Sequence, residues 1–209
     1  MPRTITTTTT VYKFDELSDK AKEKARDWWR ETETESELFG AHGELFETAE
    51  TAAALLGITF DRHNVKLMGN NTRSEPKIYW GLYVQGSGAS FEGCYEFKPD
   101  AMEAIVAEFP TDKTLHAIAA ALLIEGPATA VCDCERARYP HSGWMNVTVY
   151  DVNGEEIRGE VVRATLREFA DWIYKGIDEE WTYRMSDENI DESIRCNEYE
   201  FNAHGAVYK

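Results

Sequence analysis

IYWGLYVQGSGASFEGCYEF, from Ile78 to Phe97, is the stretch on which the fold turns. β-Branched and aromatic residues alternate with small or polar ones on either side of Gly86, Ser87 and Gly88, which is the pattern of two strands joined by turn chemistry. The spacing predicts strands over 78–85 and 89–97, paired as a hairpin. Alternation sends Trp80, Leu82 and Val84 to one face of the first strand, and Phe91, Tyr95 and Phe97 to one face of the second. Ser90, Glu92, Cys94 and Glu96 are left on the opposite face.

Working outward, helices and further strands flank this hairpin. The β-branched run from Thr4 to Tyr12 predicts a strand, and Ser18 is placed to cap a helix reaching about Glu31, with Leu17, Ala21, Ala25 and Trp28 at helical spacing. Leu45, Ala49, Ala52 and Leu56 define a second helix, begun near Glu37 or Gly43 and ended by Gly57. Downstream, Met102, Ile105, Val106 and Phe109 mark a helix stopped by Pro110, and Leu115, Ile118, Leu122 and Leu123 mark another. Strands are expected over 129–135 and 143–151, with Asn153 and Gly154 forming a turn after the second. Val162, Leu166, Phe169, Ile173 and Ile177 form an apolar seam along a helix over 160–183. Ser186 caps a last helix whose first turn holds Asp187 and Glu188, and a short strand closes the chain at 199–201. Interleaved helices and hairpin-connected strands predict an α+β fold, a mostly antiparallel sheet with helices packed on it, in a single acidic domain over 1–209.

Composition speaks to partners. Thirty-eight Asp and Glu face twenty-two Lys and Arg, a formal charge of −16. Seven Glu and no cation lie between Glu31 and Glu50 (Glu31, Glu33, Glu35, Glu37, Glu44, Glu47, Glu50), and nine acidic residues meet only Arg184 and Arg195 between Asp178 and Glu200. Each block contributes −7, so the rest nearly cancels. Such a surface is repelled by nucleic acid and by anionic lipid and attracted to basic grooves, so a host protein with a basic groove is the expected partner, with neither direct nucleic-acid nor membrane binding. The start lacks a secretory apolar segment and the longest apolar run, 117–124, is too short to cross a bilayer, so a cytoplasmic protein is expected.

Four stretches resemble one family when taken in order: VYKFDELSDKAKEKARDWWRE from Val11, the hairpin from Ile78, YPHSGWMNV from Tyr139, and SDENIDESIRCNEYEFNAHG from Ser186. They are similar to phage and prophage proteins loosely labelled antitoxin-like, whose pattern includes a Q-G-x-G-A-x-F-E-G hairpin, an H-S-G segment and an N-E-Y-E-F ending. The resemblance implies a phage-encoded accessory protein of the host cytoplasm. The stretch 33–50 is more acidic than that pattern.

The candidate chemistry follows from these features. Duplex DNA presents about one negative charge per ~1.7 Å of axis, and carboxylates at similar density can occupy a groove built for phosphate. The expected partner-binding set is Trp29, Glu31, Glu33, Glu35, Glu37, Glu44, Glu47, Glu50, Asp187, Glu188, Asp191 and Glu192, with Trp29 as an aromatic anchor beside the acidic stretch. A solvated face that maintains solubility is the plain alternative. On this reading the chain is a phage-encoded inhibitor, without enzymatic activity, that blocks the nucleic-acid groove of a host defence effector such as a CRISPR surveillance complex or a restriction-type nuclease. An antitoxin against a basic toxin would use the same surfaces. A nucleotide-binding protein or enzyme would instead use a pocket of Gln85, Ser90, Glu92 and His141, with Arg136 and Arg138 to receive phosphate. Gly86 and Gly88 do not make a dinucleotide fingerprint, because the third glycine is missing and a strand follows where a helix is required. Cys132 and Cys134, with Cys94, Asp133 and His141 as conceivable company, are too closely spaced for a zinc chelate; reduced thiols are expected, with no metal and no cofactor.

Overall fold

The computed structural model describes residues 3, 8–32, 43–67, 69, 71–82, 87–134 and 140–208. Among them the chain begins β1 (Tyr12–Lys13), α1 (Asp19–Thr32), α2 (Glu44–Leu56) and β2 (Ile58–Phe60). It continues β3 (Arg62–Lys66), β4 (Thr72–Pro76), β5 (Ile78–Gly81), β6 (Gly88–Phe91) and β7 (Gly93–Glu96). Then come α3 (Ala101–Glu108), α4 (Lys113–Glu125), β8 (Thr129–Asp133), β9 (Asn146–Tyr150) and β10 (Glu156–Ile157), followed by α5 (Glu160–Arg184), α6 (Asp187–Cys196) and β11 (Glu200–Phe201). Every strand pairing among the described residues is antiparallel, and with the helices this makes the fold α+β as expected. Residues divide into two compact units, 41–178 and the two chain ends, 1–40 with 179–209.

In the larger unit the sheet order is β10-β9-β8-β7-β2. Ile58, Phe60, Tyr95, Ala130, Cys132, Val147 and Val149 are buried on one side of that sheet, and the residues between them are exposed or half-buried. The α5 seam of Val162, Leu166, Phe169, Ile173 and Ile177 is wholly buried, as its spacing predicts. Phe169 stacks on Phe60 at 6.3 Å and meets Phe91 edge-on at 5.9 Å, which fixes the helix against both β2 and β6. Gly57 ends α2 at φ +83°, the left-handed conformation that a β-carbon penalises. Asp112 caps α4 by accepting from Thr114 N–H (3.0 Å) and Leu115 N–H (2.9 Å), while its other oxygen accepts from the Trp172 indole at 2.8 Å.

The predicted hairpin survives in part. β5 and β6 pair with Ile78 opposite Phe91 and Gly81 opposite Gly88, but the second strand changes partner at Glu92. Three passes of chain each do this at one residue. β2 pairs with β7 and, past Asp61, β3 pairs with β4; past Lys77, β5 pairs with β6; past Glu92, β7 joins the large sheet. A residue between two pairings has an N–H and a carbonyl that belong to neither ladder, and buried groups of that kind need partners. Here the three residues serve one another in a ring: Asp61 N–H donates to Glu92 (2.8 Å), Lys77 N–H to Asp61 (2.7 Å) and Glu92 N–H to Lys77 (3.0 Å). The junction divides the single strand expected over 89–97, and the segment between Gly57 and Ile78, for which the sequence predicts no element, holds β2, β3 and β4. β6 is buried at every residue, so Ser90 is enclosed and does not face solvent.

Three boundaries also differ. Among the described residues of 4–12, only Tyr12 is in a strand, because pairing with β11 begins there. Ser142–Trp144 is a 3-10 turn ahead of β9. After the Asn153 turn the chain adds β10 before the long helix.

In the unit formed by the chain ends, Phe14, Leu17, Ala21, Ala25, Ile190, Ile194 and Phe201 make the core. Alanines at 21 and 25 keep the α1 surface low. A β-carbon on Gly205 would come within 2.0 Å of the Ala21 carbonyl, so the loop after β11 reaches the helix only as glycine. Ser186 caps α6, accepting from Asn189 N–H at 3.3 Å, as the sequence predicts.

Candidate protein-interaction surface

The carboxylates singled out by the sequence fall into three groups. Glu33, Glu35 and Glu37 lie outside the described residues. Glu50, Asp187 and Asp191 are occupied by the protein itself. Asp191 holds Arg26 through two bonds of 2.7 and 2.8 Å with both side chains 15% exposed, which raises the Arg26 guanidinium above its already high range. Asp187 pairs with Arg30 and lies 3.4 Å from Arg26, and Glu50 pairs with Arg62. The remaining group, Glu31, Glu44, Glu47, Glu188 and Glu192, is exposed and makes no ion pair among the described residues. Glu44 and Glu47 stand in the first turn of α2, where the macrodipole favours them, and Glu188 and Glu192 are one turn apart on α6.

Trp29 is half-buried and packs on the chain-end core with Trp28, its ring 5.9 Å from Tyr199 and 6.2 Å from Trp28. Trp28 is half-buried as well, and edge contacts with Tyr199 hold both rings, so the expected anchor Trp29 is partly exposed and packed at once.

The second set gathers at the strand junction. Gln85, Arg136 and Arg138 lie outside the described residues. Glu92 is 18% exposed and accepts from Lys77 Nζ (2.6 Å) and from the Tyr79 hydroxyl (3.1 Å); Lys77 also faces Asp61 at 3.7 Å. The Glu92 carboxylate raises the Lys77 ammonium, and burial followed by the same carboxylate raises the Tyr79 hydroxyl. This carboxylate therefore bonds the junction together. His141 packs against Gly88, at the other end of β6 from Glu92, roughly 13 Å of strand away, and its Nδ1 accepts from Gly143 N–H at 2.9 Å. Ser90 thus lies in β6 and Glu92 just past its end, while the imidazole is held at the Gly88 end.

Cys132 is buried, which pushes its thiol up to about 12, and burial also raises Cys134, whose Sγ donates to the Phe91 carbonyl at 3.4 Å. Cys94 faces the opposite side of the sheet from Cys132. Among the described residues no group of three or more His, Cys, Asp or Glu is placed to hold a metal, and no helix is long and apolar enough to cross a membrane.

One feature escaped sequence reading. A groove of about 230 Å³ in the chain-end unit is lined by Lys13, Phe14, Asp15, Ile194, Arg195, Glu198 and Tyr199. Its cations are engaged: Lys13 donates to the Glu198 carbonyl at 3.0 Å and Arg195 holds Asp15 at 2.9 Å, keeping the Asp15 carboxyl below its usual range. Glu198 sits at φ +54° just past α6, where glycine is the usual residue. Residues 180 positions apart build this wall, and no local pattern announces it.

These features define an acidic, antiparallel α+β protein in which Asp191 and Glu92, both half-buried, are each committed to a cation of the chain itself. Residues 42–187 match the model of a domain of unknown function, DUF8835, and the chain belongs to that family. The match takes in the larger unit and runs to the head of α6. No curated protein and no solved structure matches the chain.

Proposed function

We propose that the chain is an inhibitor that binds a host nucleic-acid-directed effector, a CRISPR surveillance complex or a restriction-type nuclease, and covers its nucleic-acid groove with carboxylates. The observation that carries this reading is the group of exposed carboxylates, Glu31, Glu44, Glu47, Glu188 and Glu192, that makes no ion pair among the described residues on a chain of charge −16. Side chains already paired to arginine have little left to offer a partner; unpaired ones attract cations over the screening length, ~8 Å at physiological salt. The family resemblance to phage proteins supplies the setting, in which blocking a host effector has a use. The Glu92 carboxylate, the chemical alternative, is already bonded by Lys77 and Tyr79.

The test is inhibition of cleavage by a panel of purified, nucleic-acid-free effectors, with association rates measured across a salt series. Association with a sensitive effector is expected to slow steeply as salt rises, and the combined change of Glu44, Glu47, Glu188 and Glu192 to Gln is expected to slow it by about tenfold, since steering acts on the on-rate. Inhibition indifferent to both salt and these substitutions would refute the charge-based mechanism, and inhibition of no effector would refute the function.

A further inference from the structure

The large sheet has one packed side and one bare side. Across the bare side the strand register aligns Thr59, Cys94, Val131 and Thr148 in a row over β2, β7, β8 and β9. The first three are exposed, Val131 to 40%, and Thr148 is half-buried. Toward the ends of the strands the same face carries three exposed carboxylates, Glu96, Asp133 and Glu156, of which Glu156 faces Arg163 at 3.9 Å. No lysine or arginine occurs anywhere in the five strands.

An uncharged centre inside a charged margin is the anatomy of an interface, and here two carboxylates of that margin, Glu96 and Asp133, make no ion pair among the described residues. We propose that this face docks a cationic protein segment, one that sets arginine or lysine against Glu96 and Asp133 and uncharged side chains against the central row. The proposal rests on the reading of the chain as a binder of basic partners and adds the sheet to the exposed carboxylates as a further place of contact. A second copy of the chain does not fit: stacking two such faces would oppose carboxylate to carboxylate, which costs several kcal/mol. Five strands ~4.8 Å apart and four residues long give a face of roughly 260 Å², about a third of the ~800 Å² that a standard interface takes from one partner, so the occupant must reach past the sheet onto its surroundings.

The protein carries its own reporters for this proposal. Cys94 stands in the middle of the row, and Cys196, also exposed, ends the acidic helix α6. Cys132 and Cys134 have raised thiols and alkylate slowly, since the thiolate is the reactive form. The experiment measures iodoacetamide labelling of the intact chain, resolved by peptide mass, with and without a decapeptide alternating arginine and tyrosine. In low salt the peptide is expected to slow Cys94 about fivefold while changing Cys196 by less than about twofold, and high salt should abolish the effect. Glu96→Gln with Asp133→Asn should remove the protection, and Glu188→Gln with Glu192→Gln should leave it. Protection at Cys196 alone, or at neither thiol, overturns the docking face. So does a dimer in sedimentation with Cys94 already protected before peptide is added. The two readings fail separately: a chain that inhibits no effector but shields Cys94 keeps the docking face and loses the function. A chain whose Cys94 labels at its free rate within an inhibited complex keeps the function and loses the docking face.

Discussion

Gly93 is the residue at which β7 leaves the junction, and replacing it with alanine tests whether the three-way change of partners is as tight as described. The added carbon would lie 2.1 Å from the Thr59 carbonyl oxygen and 3.0 Å from the Phe60 Cα. The first is roughly 1.4 Å inside the ~3.5 Å at which non-bonded atoms attract, and backbone on the facing strand cannot rotate away as a side chain would. β2 must therefore move off β7. Its flanking ties are Asp61 N–H to the Glu92 carbonyl at 2.8 Å and Glu96 N–H to the Gly57 carbonyl at 2.9 Å. Losing two such bonds costs about 1 kcal/mol each and overpacking adds about 1–3, so Gly93→Ala is expected to destabilise by about 3–5 kcal/mol. With a urea dependence of about 2 kcal/mol per molar, the unfolding midpoint followed by circular dichroism should fall by roughly 1.5–2.5 M. Gly154→Ala is the control: φ is +78° but no atom lies within 4 Å, so only the backbone cost of about 1–2 kcal/mol applies. A Gly93→Ala midpoint equal to that of the control, or to the native chain, would refute the close approach of the strands.

Other expectations follow from single residues. Asp112→Ala removes the α4 cap and the Trp172 indole bond together, so a loss of about 2–3 kcal/mol with a change in tryptophan emission is expected, and Asp112→Asn should restore part of it. Burial pushes the Cys132 thiol and the Tyr95 hydroxyl up to about 12 from 9.0 and 10.0. Both are raised, so their stabilisation is full below the unfolded values and is lost as pH climbs from 9 toward 12. The loss is about 4 kcal/mol for Cys132 and about 3 for Tyr95, visible as a falling urea midpoint that Cys132→Val and Tyr95→Phe should each flatten. The Tyr95 hydroxyl is buried without a partner among the described residues, so Tyr95→Phe should also raise stability at pH 7 by about 1 kcal/mol. Glu198→Gly should stabilise by about 1 kcal/mol in thermal melts, because it relieves the left-handed backbone past α6; no gain would mean that the Lys13 bond to the Glu198 carbonyl depends on the glutamate side chain.

Helices and their ends were legible in the amino-acid order because their determinants are local. The seam from Val162 to Ile177, the stop at Gly57 and the cap at Ser186 each lie within a few residues of what they control. Alternation likewise marked Cys94 and Glu96 as outward and Tyr95 as inward. Beyond those local elements, tertiary structure decided the rest. Glu92 looks like an ordinary strand residue and Asp61 and Lys77 fall in no predicted element, and only the meeting of three distant passes shows that one carboxylate and one ammonium close the junction. The same holds for charge: Asp191 and Glu192 are adjacent and equivalent on paper, yet Arg26, 165 positions away, neutralises the first and leaves the second open. Net charge is a sum over the chain and can be read from composition, whereas which carboxylates remain available depends on pairwise distances that only folding sets.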